Sequence, residues 1–325
     1  MHFKKIIYLS ITTLLIGVLA GCDTKSDVQV LKFAHGLDVK HPVHLAIAYM
    51  AECLNEKSKG TLKMDIYPAG QLGGEREMIE LLQIGSLAMT KVSSSPLEGF
   101  IDEMKIFSVP YLFKDNEHFW RALNGDIGKR ILLSGEPVFL RGLGFYDAGS
   151  RSFYSVKKPI KTPSDLAGMK IRVQNSQSAI EMVNSIGGSA TPIAWGELYT
   201  ALQSGVVDGA ENNPPSFLSS KHYEVAKYFT LDEHTMVPDL VLIGKYTWDH
   251  LTPEQRIWVQ EAMDESIVYQ RKLWGQATIE SLEAVKAAGV EVIYPDKILF
   301  QNKAAAPALS KTNAELVQQI ESLRE

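Results

Sequence analysis

Short apolar runs alternate with amphipathic stretches along almost the whole chain. Residues 30–34 read as a short strand, and 42–58 as an amphipathic helix with a stripe at Val43, Ile47, Met50 and Leu54, closed by Gly60. Leu62, Met64 and Ile66 alternate as a strand ending at Pro68. Gly70, Gly73 and Gly74 loosen the next loop, a helix opens near Glu75, and Gly85 ends it before a strand at 87–92. The pattern then predicts a helix over 115–133 and a strand over 138–145. In "GMKIRVQNSQS" (168–178), Met169, Ile171 and Val173 alternate with Lys170 and Arg172 as a strand, and Asn175 and Ser176 cap the helix 178–186, which Gly187-Gly188 stops. Residues 195–204 read as helix, and Val206, Val207 and Ala210 as a short strand. Residues 237–243 form a nearly unbroken apolar run, as in a strand covered on both faces. Thr252-Pro253-Glu254-Gln255 is a capping box with proline at the first helical position, opening a helix that reaches toward Ala288. A last strand at 290–294 and an amphipathic helix at 308–323 complete the series.

This alternation predicts an α/β protein with mostly parallel sheets. The 325 residues exceed one comfortable domain, and no repeat or low-complexity linker divides them. Two α/β domains joined by crossing strands and a shared helix are therefore expected. Ligands in such folds bind where strand C-termini meet helix N-termini, or between domains. Arg172 lies at such a strand end, and Arg151, in "DAGSRSFY", lies just past another.

Charge narrows the partners. The formal net charge is −5, and losing Lys4 and Lys5 with a leader brings it to −7. An acidic chain without a Lys/Arg block argues against nucleic acid. The N-terminus reads as a targeting segment: Lys4-Lys5, an apolar run over 6–20, then Leu19-Ala20-Gly21-Cys22. A small-residue cleavage site followed at once by cysteine resembles a bacterial lipoprotein signal, with cleavage before Cys22 and acylation of its thiol. Asp23 then hints at retention on the inner membrane. A lipidated Cys22 leaves Cys53 unable to form an intramolecular disulfide, and Cys53 reads as a small core residue beside the first helix's stripe.

Enzyme signatures are scarce. G-x-S-x-G, HExxH, the P-loop and G-x-G-x-x-G do not occur, and Gly142-Leu143-Gly144 lacks the third glycine. His35, His41 and His44 cluster, but loop histidines are more often structural than metal ligands. Anion recognition fits better, because arginine presents a planar fork of donors matching a carboxylate. A lone strand arginine is more commonly an ion-pair partner. Glu211, Asn212 and Asn213 in "DGAENNPPSF" stand where the chain turns, serving either loop backbone or ligand hydroxyls. Trp195 offers a flat apolar face that equally suits core packing.

"RSFYSVKKPIKTPSDLAGMKIRV", "GGSATPIAWGELYTALQSGVVDGAENNP" and "YPAGQLGGEREMIELLQIGSLAMT" together resemble the extracytoplasmic solute-binding subunit of tripartite ATP-independent periplasmic (TRAP) transporters, the DctP-type family. The resemblance spans roughly residues 30–323. It implies a two-lobed periplasmic binding protein fold whose lobes close on ligand, with no catalysis and no cofactor. The implied division is a leader at 1–21, a lipidated Cys22 and tether over 22–29, lobe I over 30–149 plus 238–276, and lobe II over 150–237 plus 277–325. By resemblance, Arg172 pairs with the substrate carboxylate, Arg151 assists, Asn212 contacts ligand and Trp195 packs on it. Ser93 stands where sialic-acid-type members carry an acid, which argues against sialic acid. The "ENNP" sequence differs from the cation-dependent 2-oxoacid branch, so no metal is expected. "AHGLDVKHPVH", "QLGGERE", "DAGSRSFY" and "GAENNPPSF" look most like the branch associated with hexuronates such as glucuronate and galacturonate. His35, Gln71, Glu75, Ser93, Glu211, Asn212 and Asp239 would then share hydroxyl contacts. Structural roles compete: Glu75 suits a helix N-terminus, and Asp239 suits a cap. The implied partners are an organic acid and the TRAP membrane subunits. Rivals are a C4-dicarboxylate binder, or a secreted enzyme or sensor acting on uronates.

Overall fold

The computed structural model describes residues 28–308 and 314–324. The leader, Cys22 and most of the tether lie outside these residues. In chain order the strands are β1 (Gln29–Ala34), β2 (Leu62–Tyr67), β3 (Met89–Ser93), β4 (Leu140–Tyr146), β5 (Arg151–Ser155), β6 (Lys170–Val173), β7 (Ser189–Pro192), β8 (Gly209–Asn212), β9 (Tyr228–Thr235), β10 (Asp239–Gly244) and β11 (Glu291–Ile293). They build two sheets, ordered β2-β1-β3-β10-β4 and β11-β9-β5-β8-β6-β7. The helices used below are α1 (Pro42–Lys57), α2 (Glu75–Gln83), α3 (Gln177–Ile186), α4 (Pro214–Ser219), α5 (Pro253–Ala287), α6 (Lys297–Ala308) and α7 (Ala314–Glu321). Each sheet with its helices forms one lobe.

The sheets are more mixed than the alternation predicts, with five parallel and four antiparallel strand pairs among the described residues. β10 runs antiparallel to β3 and β4, and β5 runs antiparallel to β8 and β9. The cause is the way the chain passes between lobes. β4 leads into β5 through 147–150, and β9 returns into β10 through 236–238. The two crossings lie side by side, with Asp239 opposite Tyr146 and Arg151 opposite Thr235. Helix 115–133 is also two helices, Asn116–Asn124 and Asp126–Leu133, separated by the extended Gly125.

The 35-residue α5 is the third connection. Val259, Ala262, Met263 and Trp274 pack with α1 and the first sheet, while Leu282 and Val285 pack in the second lobe. Gln270, buried on α5, grips the crossing: its Oε1 accepts from Asp147 N and its Nε2 donates to Asp147 O, both at 2.8 Å. Gly149 follows at φ +57°, a backbone that favours glycine, and a Cβ there would press on Trp274 at 3.1 Å from Nε1. α7 departs from the expected lobe II assignment of 277–325. Its Leu316, Val317 and Ile320 enter the first lobe's core beside Phe119 and Trp120, while α6 packs in the second lobe through Phe300 and Ala304. Cys53 is buried on α1, as its stripe predicts.

A buried charge chain stabilises the second sheet beside the crossing. Asp232 Oδ1 accepts from Phe153 N at 3.0 Å and Oδ2 from His234 Nδ1 at 2.8 Å. His234 Nε2 lies 3.7 Å from Glu211, which pairs with Arg151. Burial opposes the imidazolium, but Asp232 and Glu211 outweigh it and raise the His234 pKa to about 9. Burial opposes the Glu211 charge too, yet Arg151 and His234 hold its pKa at about 2. A raised histidine pKa stabilises the fold fully below the unfolded value of 6.5, and that contribution fades as pH rises to about 9. Wild type should therefore exceed His234→Gln in unfolding temperature most at pH 6. The gap should narrow by pH 9, with roughly 3 kcal/mol at stake. Thermal unfolding across that range checks it, and a pH-independent gap would contradict the protonated His234.

Candidate functional site

Strand ends from both lobes converge on one small cavity. In the second lobe β6 lies parallel to β8, with Arg172 opposite Ala210, so Arg172 and Asn212 reach the same edge. Arg172 is 3% exposed. Its Nε donates to Ile193 O at 2.9 Å, its guanidinium lies 5.8 Å from the Trp195 ring centroid, and Nη1 has no hydrogen-bond partner within the protein. Burial works against its charge, and nearby Arg151 adds to that, lowering the pKa. Arginine nevertheless stays protonated. A buried cation without a counter-charge costs free energy until an anion meets it.

Arg151 is differently placed. It opens β5, and its Nε and Nη2 bind the Glu211 carboxylate, with Nη2 also donating to Glu211 O at 2.8 Å. Nη1 donates to Asn212 Oδ1 at 3.2 Å, and that oxygen also accepts from Asn213 N at 2.9 Å. Arg151 thus forms part of the wall as a paired charge that fixes the Asn212 amide. With its oxygen occupied, Asn212 has its NH2 available to donate.

The first lobe supplies the opposite wall. Lys91, on β3, is almost fully buried and bridges Asp239 at 3.0 Å and Glu75 at 3.6 Å. Burial disfavours the ammonium, but the two carboxylates outweigh it and hold its pKa above the usual lysine value. Glu75, in the first turn of α2, accepts from Ser93 N at 2.9 Å. Ser93 Oγ reaches Gln174 Oε1 across the cleft at 3.4 Å. His41 caps α1 through Nδ1, and its Nε2 lies 3.2 Å from Ser216 Oγ on α4 of the other lobe. The lobes are thus closed on one another. Leu37, Trp195 and Trp274 add apolar surface. Burial first, then Lys91, keeps the neighbouring histidines neutral, with His35 lowered to about 3 and His41 also well below its usual value.

Of the residues expected from sequence, Arg172, Arg151, Asn212, Trp195, Glu75, Ser93 and Asp239 line this cavity. Three do not. His35 is fully buried behind it, with Nε2 hydrogen-bonded to His44 at 3.0 Å and Nδ1 to Leu37 N at 3.1 Å. Glu211 stands behind Arg151 with its oxygens engaged. Gln71 is exposed in the turn before α2. Sequence reasoning missed Lys91, Gln174, Ser216 and Trp274, and it raised His41 only within a histidine cluster and Asn213 only as a turn amide. Lys91 had a signal: a lone cation inside the run "AMTKVSS", which demands a buried partner. A wider groove of about 910 Å³ lies behind the crossing, but its Lys114, Glu233, Arg271 and Lys272 are exposed charges of both signs. The interlobe cavity is where buried charge converges. Chemically, it can clamp an anionic group at Arg172 and exchange hydrogen bonds with hydroxyls at Asn212, Lys91, Glu75 and Asp239.

Residues 33–315 match the family described as bacterial extracellular solute-binding protein, family 7 (DctP). A TRAP periplasmic solute-binding protein from a Bradyrhizobium species, in complex with α/β-D-galacturonate, is 39% identical with a TM-score of 0.87, covering 90% of this chain and 100% of that one. A TRAP solute-binding protein from Pseudomonas putida F1 with bound D-glucuronate is 38% identical, also at TM-score 0.87, covering 90% and 96%. The 2,3-diketo-L-gulonate-binding periplasmic protein YiaO of Escherichia coli is 33% identical over 86% of each chain. With two lobes, paired crossing strands and an anion-ready cavity between them, the chain belongs to the DctP family of TRAP-transporter solute-binding proteins.

Proposed function

We propose that this protein captures a hexuronate such as D-glucuronate or D-galacturonate in the interlobe cavity and delivers it to TRAP membrane subunits, without catalysing a reaction on it. The observation that carries the reading is Arg172, a buried guanidinium whose Nη1 is unpartnered beside the cavity. A carboxylate bound there gains charge-assisted, bidentate hydrogen bonds. The uronate part rests on the opposite wall, where Glu75, Asp239 and Lys91 offer acceptors and a donor to a polyhydroxylated ring. Arg151 contributes by holding Asn212, and Trp195 by covering one face of the ligand. The lobe division we propose follows the crossings, with 30–149 plus 238–276 against 150–237 plus 277–308, and α7 returning to the first lobe. The chain is anchored outside the cytoplasmic membrane by lipid on Cys22.

Arg172→Ala should weaken uronate binding by about 30-fold to several thousand-fold, the 2–5 kcal/mol expected for a desolvated charge pair. Arg172→Lys should also bind poorly, since it loses the fork. Calorimetric titration measures both, and wild-type affinity in either variant would refute the anchor role of Arg172. In a thermal-shift panel D-glucuronate and D-galacturonate should raise the unfolding temperature, while succinate and malate should not. The reverse pattern would establish the C4-dicarboxylate rival, the specificity named for a 30% identical Rhodobacter capsulatus relative. Turnover of a stabilising acid would instead mark an enzyme. Cys22→Ser should move the protein from the membrane to the soluble fraction on cell fractionation, and continued tight membrane association would contradict the lipid anchor.

A further inference from the structure

The closed lobes also touch away from the ligand cavity. Glu98 belongs to the first lobe, between the core residues Leu97 and Ile101. It is 8% exposed, and Ser108, also of the first lobe, donates to its Oε1. Its Oε2 faces the second lobe. There it accepts from Ser176 Oγ at 2.9 Å and from Ser178 N at 3.3 Å. Ser176 is the N-cap of the ten-residue α3, and its own Oγ accepts from Ala179 N at 3.0 Å. The first lobe thus places a carboxylate on the positive end of a second-lobe helix, where the helix dipole and two donors stabilise it.

The location gives this contact a role. Two further side-chain bridges, Ser93 to Gln174 and His41 to Ser216, are made by residues that line the cavity, and a third, from Tyr111 Oη to Asp232 O at 3.2 Å, lies beside the crossing. Glu98 does not line the cavity. The segment it holds follows Arg172, Val173 and Gln174 directly. We infer that Glu98 is a positioning residue and an interlobe latch: its contact with Ser176 and Ser178 forms when the lobes close, holding the Arg172-bearing segment against the first lobe without touching ligand. This rests on capture of ligand by lobe closure. Because a latch adds the same stabilisation whatever is bound, it sets affinity and residence time and leaves selectivity alone.

Glu98→Ala should raise the Kd for D-glucuronate and for D-galacturonate by the same factor, about 10- to 30-fold for one charge-assisted contact. Most of that should appear as faster dissociation, read by stopped-flow competition. Glu98→Gln, which keeps an acceptor, should restore part of the affinity. In a double-mutant cycle, Glu98→Ala and Ser176→Ala should be strongly non-additive in Kd. A purely structural Glu98 predicts the opposite split, with a lower unfolding temperature of the ligand-free chain and an unchanged Kd. That split, additive effects in the cycle, or an altered glucuronate-to-galacturonate ratio would each overturn the latch. If neither uronate binds wild type, the uronate reading has failed. The same cycle run on the panel acid that does bind then decides the latch separately.

Discussion

A guanidinium kept from water must find an anion, and the cleft is organised around that constraint. Of the three cations in the cavity wall, Lys91 has Asp239 and Glu75, and Arg151 has Glu211. Of these three, Arg172 alone has a buried donor left without a partner among the described residues. The ion pairs around it matter because they remove competitors. Had Arg151 been free, two unpaired cations would repel and the ligand's charge would have two places to sit. Instead Glu211 neutralises Arg151, and His234 and Asp232 extend that neutralisation into the second sheet. The anion site is therefore single, and the rest of the wall is left to read hydroxyls.

The crossings convert that electrostatic demand into geometry. β4 runs on into β5 and β9 into β10, so the sheet that carries Arg151 and the sheet that carries Asp239 are continuous in chain. The two Gln270 hydrogen bonds tie the first crossing to α5, which packs on both lobes. A hinge so braced allows rotation of the lobes while the walls keep their own internal pairs.

How much of this was readable in the chain depended on which face a residue type signals. α5 was legible end to end because its capping box and spacing are local features. β10 was legible because all six of its residues are buried, which an apolar run announces. β9 was not, since its buried positions include Thr230, Asp232 and His234, and polar residues in a core imitate a loop. β5 was missed for a similar reason, beginning with a buried arginine. Arg172 could be found at a strand end, but its lack of a partner is a three-dimensional fact. Glu211 and His35 were placed in the cleft by proximity in sequence to true wall residues, and the fold turned them inward. α7, expected in lobe II, packs on the first lobe's core, because nothing in an amphipathic stripe says which core it meets.

The neutral histidines around the cleft carry a further consequence. Burial leads in holding His35 and His222 near a pKa of 3, and His41 below its usual value, while His234 sits near 9. His35 and His222 therefore stay neutral, and His234 stays charged, under mildly acidic conditions. A protein working outside the cytoplasmic membrane shares the acidity of its surroundings, and histidine would ordinarily be the residue that transmits it. Here burial holds the imidazoles of His35 and His41 neutral, so they add no positive charge beside the cleft when the surroundings turn mildly acidic.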